Sequence, residues 1–321
     1  MTANKLFSIL HKKENSFDEV IIKNNLTNEF VSILPEHGAK VRELWLNNGV
    51  DNFSILKKIS NVESAARDDV FTNAKLSPFA GRIKDGKYVF NGKEFCLPVN
   101  YPEENNACHG FLYDKKFITS NSDINEDNAS IDLEYLYNCE YPGYPFNYTL
   151  YIRYILTIND GLICQTRIKN SSDITIPVSD GWHHYFEFGT LIDELALELD
   201  VSDIIEIDSQ LVPTGQISKY SEFDKLQKIY NKHFDFCFRV NAKKKIITKL
   251  IWNEKNVKVN IWQDAEKYKY LVVYTPEDRK SIAIEPWTSN VNSFNNEEGL
   301  ITLLPHQEYL SSFGIYLEKR T

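Results

Sequence analysis

The sequence predicts an all-β protein, an antiparallel sandwich or barrel, and 321 residues are enough for one very large sandwich. Three observations carry this. The dominant hydrophobic period is two, the period at which strand side chains alternate between faces. Turn signals of hairpin type recur between the alternating segments. Tyr (18) and Phe (19) are abundant while Met occurs once, and aromatic and β-branched side chains suit a pleated, half-buried surface.

The elements follow in chain order. Alternation predicts strands at 18–23 and 29–34. Gly86 to Phe90 and Lys93 to Leu97 flank Asn91-Gly92, a pair suited to a type I′ turn whose central residues both need positive φ. The polar, acidic stretch 121–128 predicts an exposed loop, and a strand follows at 130–137. Residues 146–158 alternate best: Phe146, Tyr148, Leu150, Ile152, Tyr154, Leu156 and Ile158 share one face. Asn159-Asp160-Gly161 supplies a turn, and Leu162, Cys164, Thr166 and Ile168 restart the pattern. One short amphipathic helix is expected near 222–230, then strands at 257–262, 270–275, 281–285 and 309–318. No Gly/Ser- or Pro-rich linker, internal repeat or low-complexity block divides the chain, so one domain over 1–321 is expected.

Bulk composition narrows the function class. Lys and Arg total 36 against 45 Asp and Glu, a net charge of −9. Nucleic acid as the main partner is disfavoured, because phosphate neutralisation needs clustered cations. The one basic run, Lys243-Lys244-Lys245, is short enough for a solvated turn or strand end. The five cysteines, 96, 108, 139, 164 and 237, have no CxxC spacing and suit reduced, mostly buried thiols. The apolar run Leu6 to Leu10 is too short for a signal-peptide core, and no stretch reaches the ~20 apolar residues that cross a bilayer. A cytoplasmic protein is expected. P-loop, GxGxxG and GxSxG patterns are absent.

A few polar residues stand out against this apolar background. Glu285 ends Ser281-Ile282-Ala283-Ile284-Glu285, sharing a face with the small Ala283, and Pro286 is expected to stop the strand. The alternative is a strand-end carboxylate in solvent. His109 in Cys108-His109-Gly110 can present an imidazole from a turn on a rigid sheet, or be a surface loop residue. In Trp182-His183-His184-Tyr185-Phe186, neighbours point to opposite faces, so only one of His183 and His184 can face a given pocket. Arg82, within Pro78-Phe79-Ala80-Gly81-Arg82-Ile83, suggests a partly buried guanidinium that needs a partner or a substrate oxygen. Asp235 lies among apolar neighbours in His233 to Phe238, and an internal Arg82–Asp235 pair competes with a binding role. One carboxylate and two imidazoles suffice to move a proton on and off one substrate. A His₂Glu metal set from His109, His183 or His184, and Glu285 is the rival use, without HExxH or HxH spacing to support it.

Taken together these segments resemble the aldose 1-epimerase (galactose mutarotase) family, in order from about residue 30 to the C-terminus. Gly81-Arg82-Ile83 with Gly86-Lys87-Tyr88 and Asn91-Gly92 resembles an Arg-Ile segment and its hairpin. His109-Gly110, Tyr141-Pro142-Gly143-Tyr144-Pro145, His183-His184-Tyr185-Phe186, Pro213-Thr214-Gly215, Phe234 to Phe238 and Glu285-Pro286 follow. The match to His-x-Tyr-Phe selects His183 over His184.

The resemblance implies a large antiparallel supersandwich and a cofactor-free interconversion of aldose anomers, with a small-molecule sugar as partner and a monomer or homodimer as assembly. Carried over by motif, Glu285 is the general base, His183 the general acid, and His109 a catalytic partner that stabilises developing charge. Arg82, Asp235, Trp182, Trp287 and His184 are the expected substrate-binding side chains. Phe111, Gly81, Phe236 and Trp287 depart from the best-known family pattern around the presumed pocket, and bear on which sugar is taken. Alternatives of other classes are a non-catalytic carbohydrate-binding protein, a sugar-phosphate epimerase, and a metal-dependent isomerase or lyase.

Overall fold

The computed structural model describes residues 6–14, 17–66 and 70–320. Every strand ladder in it is antiparallel, with an isolated parallel bridge between Ser77 and Gly110. Three sheets dominate. The five strands from Phe7–Glu14 to Asn52–Ser54 form a meander in chain order. A nine-stranded sheet is centred on Tyr148–Thr157, Leu162–Asn170 and Glu308–Leu317. A seven-stranded sheet runs in the spatial order Pro213–Lys219, Val201–Ile207, Asp235–Val240, Tyr270–Tyr274, Ile282–Trp287, Gly181–Phe186 and Ala74–Leu76. Among the described residues no helix is long and apolar enough to cross a membrane.

The local chemistry of the turns explains the pairing. Asn91 and Gly92 have φ of 49° and 71°, the two positive values a type I′ hairpin requires. Gly161 has φ of 62°, and the Asp160 N–H donates to Thr157 Oγ1 at 2.8 Å, so the next hairpin is closed by its own turn residues. Burial alternates strictly along Tyr148–Thr157, as the period of two predicts.

The core lies between the seven- and nine-stranded sheets. Trp182, His184, Phe186, Ile282 and Ile284 point inward and are fully buried. Trp182 meets Tyr154 at 5.9 Å and Phe313 at 5.5 Å between ring centres. The five-stranded sheet joins the same cluster through Val20, Ile22, Val31 and Leu44. Because strand residues alternate, burying Trp182, His184 and Ile284 in this core obliges His183, Tyr185 and Glu285 to face the other way.

Three sequence expectations are corrected. No helix forms near 222–230; a short strand, Gln227–Lys228, lies there instead. Phe223 and Ile229 both enter the core, and their backbones bond to Leu199 and Leu195, so flanking-strand pairing overrides the helical pattern. The strand containing Glu285 does not stop at Pro286 but runs to Trp287. The ladder to Gly181–Phe186 has no paired position between Gly181–Trp287 and His184–Ile284, so an imide nitrogen without a proton is tolerated there. The 121–128 stretch is only partly loop: its first residues belong to the edge strand Ile118–Ile124, exposed along its whole length. A strand with both faces wet carries no alternation to read.

Candidate active site

The site lies on the outer face of the seven-stranded sheet, and strand register assembles it. Gly181 sits opposite Trp287 and His184 opposite Ile284, which brings His183 and Glu285 opposite one another at the unpaired positions between. Nε2 of His183 lies 3.4 Å from Oε1 of Glu285. The next strand places Val272 beside Glu285 and Tyr274 beside Ala283, and the one beyond places Asp235 beside Tyr274. Same-face partners on adjacent strands have Cβ atoms ~5 Å apart, so these rows form a continuous floor.

Above this floor the two-stranded ladder of Arg82–Lys84 and Asn106–Cys108 pairs Arg82 with Cys108, so Arg82 and the next residue, His109, arrive together. His109 has φ of 64°. Its backbone N–H donates to the Gly81 carbonyl at 3.0 Å, and its Nδ1 accepts from the Gly81 N–H at 3.3 Å. An accepting Nδ1 puts the proton of neutral His109 on Nε2. The His109 and His183 rings stand 5.4 Å apart, and the Trp287 indole lies 5.7 Å from His109. A Cβ on either Gly81 or Gly181 would come within 2.7 Å of that indole, so these two glycines make the slot that Trp287 fills.

These groups line a cavity of about 140 Å³, together with Val70, Phe71, Tyr101 and Tyr185. His109 and His183 are each 7% exposed and Glu285 1%. Burial dominates their protonation. It lowers His183 to about 3, pushes His109 well below its ordinary range, and raises Glu285 well above the usual carboxylate range. The Trp287 indole N–H opposes the rise in Glu285, although it lies outside hydrogen-bond geometry. Buried polar atoms without partners among the described residues include Arg82 Nε, His183 Nδ1 and Glu285 Oε2. All three belong to residues lining this one cavity, and such atoms are the ones a polar ligand satisfies.

Of the residues singled out in the sequence, Glu285, His183, His109, Arg82, Asp235 and Trp287 are brought together here. Asp235 sits exposed at the rim, its carboxyl raised by partial burial and lowered by Arg82 and His233. The described residues show no direct Arg82–Asp235 ion pair. Trp182 and His184 do not reach the cavity, which corrects their expected role as substrate contacts. Both lie in the inter-sheet core, where His184 packs 5.4 Å from Trp182 and 5.4 Å from Phe313. Among the described residues no three His, Cys, Asp or Glu side chains gather as a metal shell. Tyr185 could have been found from its shared face with His183. Phe71 carried no sequence signal.

His184 yields a stability prediction. Neither of its ring nitrogens has a partner among the described residues, and burial lowers it from 6.5 to about 3. The unfolded chain therefore binds this proton between those values, and the stability of the neutral folded form is lost as pH falls from 6.5 towards 3. Below pH 6.5 this one group should make unfolding free energy fall by up to ~1.4 kcal/mol per pH unit. His184→Leu should flatten that slope in denaturant titrations between pH 7 and 4; an unchanged slope would contradict it.

Comparison with known proteins places the chain. The family model described as aldose 1-epimerase matches residues 19–316. The chain is 26% identical over 252 residues to the uncharacterized protein YihR of Escherichia coli (strain K12), spanning 76% of this chain and 79% of that protein. It is 25% identical over 213 residues to galactose mutarotase of Rattus norvegicus, spanning 60% of this chain and 59% of that protein. In fold it is similar to a galactose mutarotase-like protein from Clostridium acetobutylicum, with a TM-score of 0.84, 24% identity and coverage of 99% of this chain and 100% of that one. Galactose 1-epimerase from Lactobacillus acidophilus NCFM gives a TM-score of 0.81 at 18% identity, over 98% of this chain and 99% of that one.

Proposed function

The chain belongs to the aldose 1-epimerase family, and on that premise we propose that it interconverts the α and β anomers of a free aldose, with Glu285 and His183 as the proton-transferring pair. The observation that carries this reading is their 3.4 Å approach, opposite one another on the floor of a cavity that also holds His109 and Arg82. Glu285 takes the proton from the C1 hydroxyl while His183 protonates the ring oxygen. The C1–O5 bond breaks and C1 becomes an aldehyde. Rotation about C1–C2 presents its other face, and closure runs with the two roles exchanged.

The pair needs only one shared proton for this cycle. Burial holds His183 low and Glu285 high, which by itself favours the proton on Glu285. That is the state that follows ring opening. The charged pair that starts the cycle is favoured by what the sugar adds: its hydroxyls replace lost water at both groups. The Arg82 guanidinium lowers both groups, which favours the charged carboxylate and opposes the charged imidazole. His109, with its proton on Nε2, donates to a sugar oxygen and supports the charge developing there. Each C1–O5 cleavage or closure is coupled to two proton transfers, and Glu285 and His183 carry both.

Among the described residues Arg82 is the one Lys or Arg that lines the cavity, which favours an unphosphorylated sugar over a sugar phosphate. The test is the anomerisation rate of freshly dissolved single anomers, followed by polarimetry or NMR exchange over a panel of neutral aldohexoses and aldopentoses. Catalysed equilibration of at least one is expected. Buffer-rate equilibration of all of them would overturn the reading, and saturable binding without acceleration would instead favour a carbohydrate-binding protein.

A further inference from the structure

Phe71 has a conformation that its residue type disfavours. Its φ is 55°, a left-handed value that is uncommon for any residue with a Cβ and an outlier for a bulky one. Such outliers persist only where the surroundings impose them. Here the surroundings are visible. Asn73, itself at φ of 53°, donates from Nδ2 to the carbonyls of Val41 at 3.0 Å and Lys57 at 2.8 Å. Its Oδ1 accepts the Tyr185 backbone N–H at 3.1 Å. On the other side of Phe71, the Val70 carbonyl accepts the Tyr185 hydroxyl at 3.1 Å. The segment is thus tied at both ends to the strand that carries His183.

The strained backbone directs the Phe71 ring over the site. The ring lies 4.5 Å from His109 and 6.3 Å from His183 between centres, at 30° to the latter. It is backed by Tyr113 at 4.8 Å and is 3% exposed. It belongs to an apolar cluster separate from the main core, which includes Val272 and Trp287 of the cavity lining. Phe71 also lines the cavity itself, so the same buried ring gives the cavity an apolar wall.

We propose that Phe71 is a specificity-determining residue, whose ring forms the apolar face met by the C–H side of the bound sugar and seals the two imidazoles from water. The substrate-contact half of this rests on the function proposed above; the sealing half does not. A pyranose presents axial hydrogens as an apolar patch, and a flat aromatic ring buries that patch without competing for its hydroxyls. Sugars that replace those hydrogens with axial hydroxyls are excluded by the same wall.

The test compares Phe71→Gly, Phe71→Ala and Phe71→Leu in the full-length protein. Glycine accepts φ near 55° freely, so Phe71→Gly should unfold at a higher temperature than Phe71→Ala while lacking the ring equally. In both, KM for the best aldose should rise about tenfold or more, the loss of a buried apolar contact, with kcat changing less. Phe71→Leu keeps bulk without a flat face and should fall between. Independently of turnover, ¹H NMR titration of the His109 and His183 ring protons should show both moving upward towards 6.5 in Phe71→Gly. The titratable groups facing the imidazoles are unaltered in these variants: Arg82 and Cys108 from the two-stranded ladder, Tyr101 from its loop, and Tyr185, Asp235, Tyr274 and Glu285 from the sheet. Such a shift therefore reports water entry. Unchanged imidazole titration together with unchanged KM would overturn the proposal. If the unaltered protein equilibrates no aldose, the proposed function fails, and the imidazole titration alone then decides whether Phe71 seals the cavity.

Discussion

Glu285→Gln should lower kcat by ~10²–10⁴-fold, the usual contribution of one positioned proton-transfer group, without lowering stability. The amide has the volume of the carboxyl but cannot take the C1 hydroxyl proton. Glu285 is almost fully buried, and its Oε2 has no partner among the described residues, so the change removes little bonding from the folded state. The pH dependence sharpens this. Burial raises Glu285 well above its ordinary 4.5, so the folded chain keeps a proton that the unfolded chain gives up. The stability this contributes is present below pH 4.5 and is lost as pH rises towards the folded value. Glu285→Gln should therefore gain stability relative to the unaltered protein at pH 8 compared with pH 4.5, while being nearly inactive at both. Initial anomerisation rates and denaturant midpoints at the two pH values check this. Undiminished turnover would remove Glu285 from the mechanism.

Lys75→Met should cost about 3–5 kcal/mol of stability, the range for breaking one half of a buried ion pair. Lys75 and Asp180 are both fully buried and in direct contact. Lys75 Nζ also donates to the Gly181 carbonyl at 3.2 Å and lies 4.5 Å over the Trp182 ring. Asp180 accepts the Tyr268 hydroxyl at 3.0 Å, and its backbone N–H donates to Thr288 Oγ1 at 2.9 Å. Burial lowers Lys75 to about 8 and raises Asp180, so each charge is held mainly by the other. Removing the ammonium alone strands the carboxylate. Adding Asp180→Asn keeps an acceptor for Tyr268 without the charge, and the double variant should recover most of the loss. Equilibrium denaturant unfolding of the single and double variants tests this. A single variant within about 1 kcal/mol of the unaltered protein would fall in the range of an exposed pair and contradict it. Asp180 and Thr288 immediately flank the strands of His183 and Glu285, so their hydrogen bond also clamps the ends that set the register of those two residues.

The rule that drew attention to Arg82, a lone charge among apolar neighbours, applies equally to Lys75 in Asn73-Ala74-Lys75-Leu76. Local sequence does not separate the two cases, because a short strand with one Lys looks the same whether its end reaches solvent or a distant carboxylate. Phe71 is different in kind. Its importance lies in a backbone angle and in contacts with residues far along the chain, and neither leaves a local trace.

Local sequence determined what depends on neighbours in the chain. The period of two in 146–158, the Asn91-Gly92 and Asn159-Asp160-Gly161 turns, and the alternation that separates His183 from His184 all follow from geometry within a few residues. So does the shared face of Ala283 and Glu285. Tertiary structure decided what depends on register and layering. Trp182 and His184, expected as substrate contacts, are instead buried because the second sheet covers their side. The 222–230 segment gave up its helical pattern to strand pairing. Strand Pro286 was tolerated because its missing N–H falls where no ladder bond is made. The meeting of His183 with Glu285 at 3.4 Å required residues 102 positions apart to fall opposite one another. Side-chain alternation is a property of one strand, but proximity between strands is set by which partners the whole core buries together, and only the folded chain contains that information.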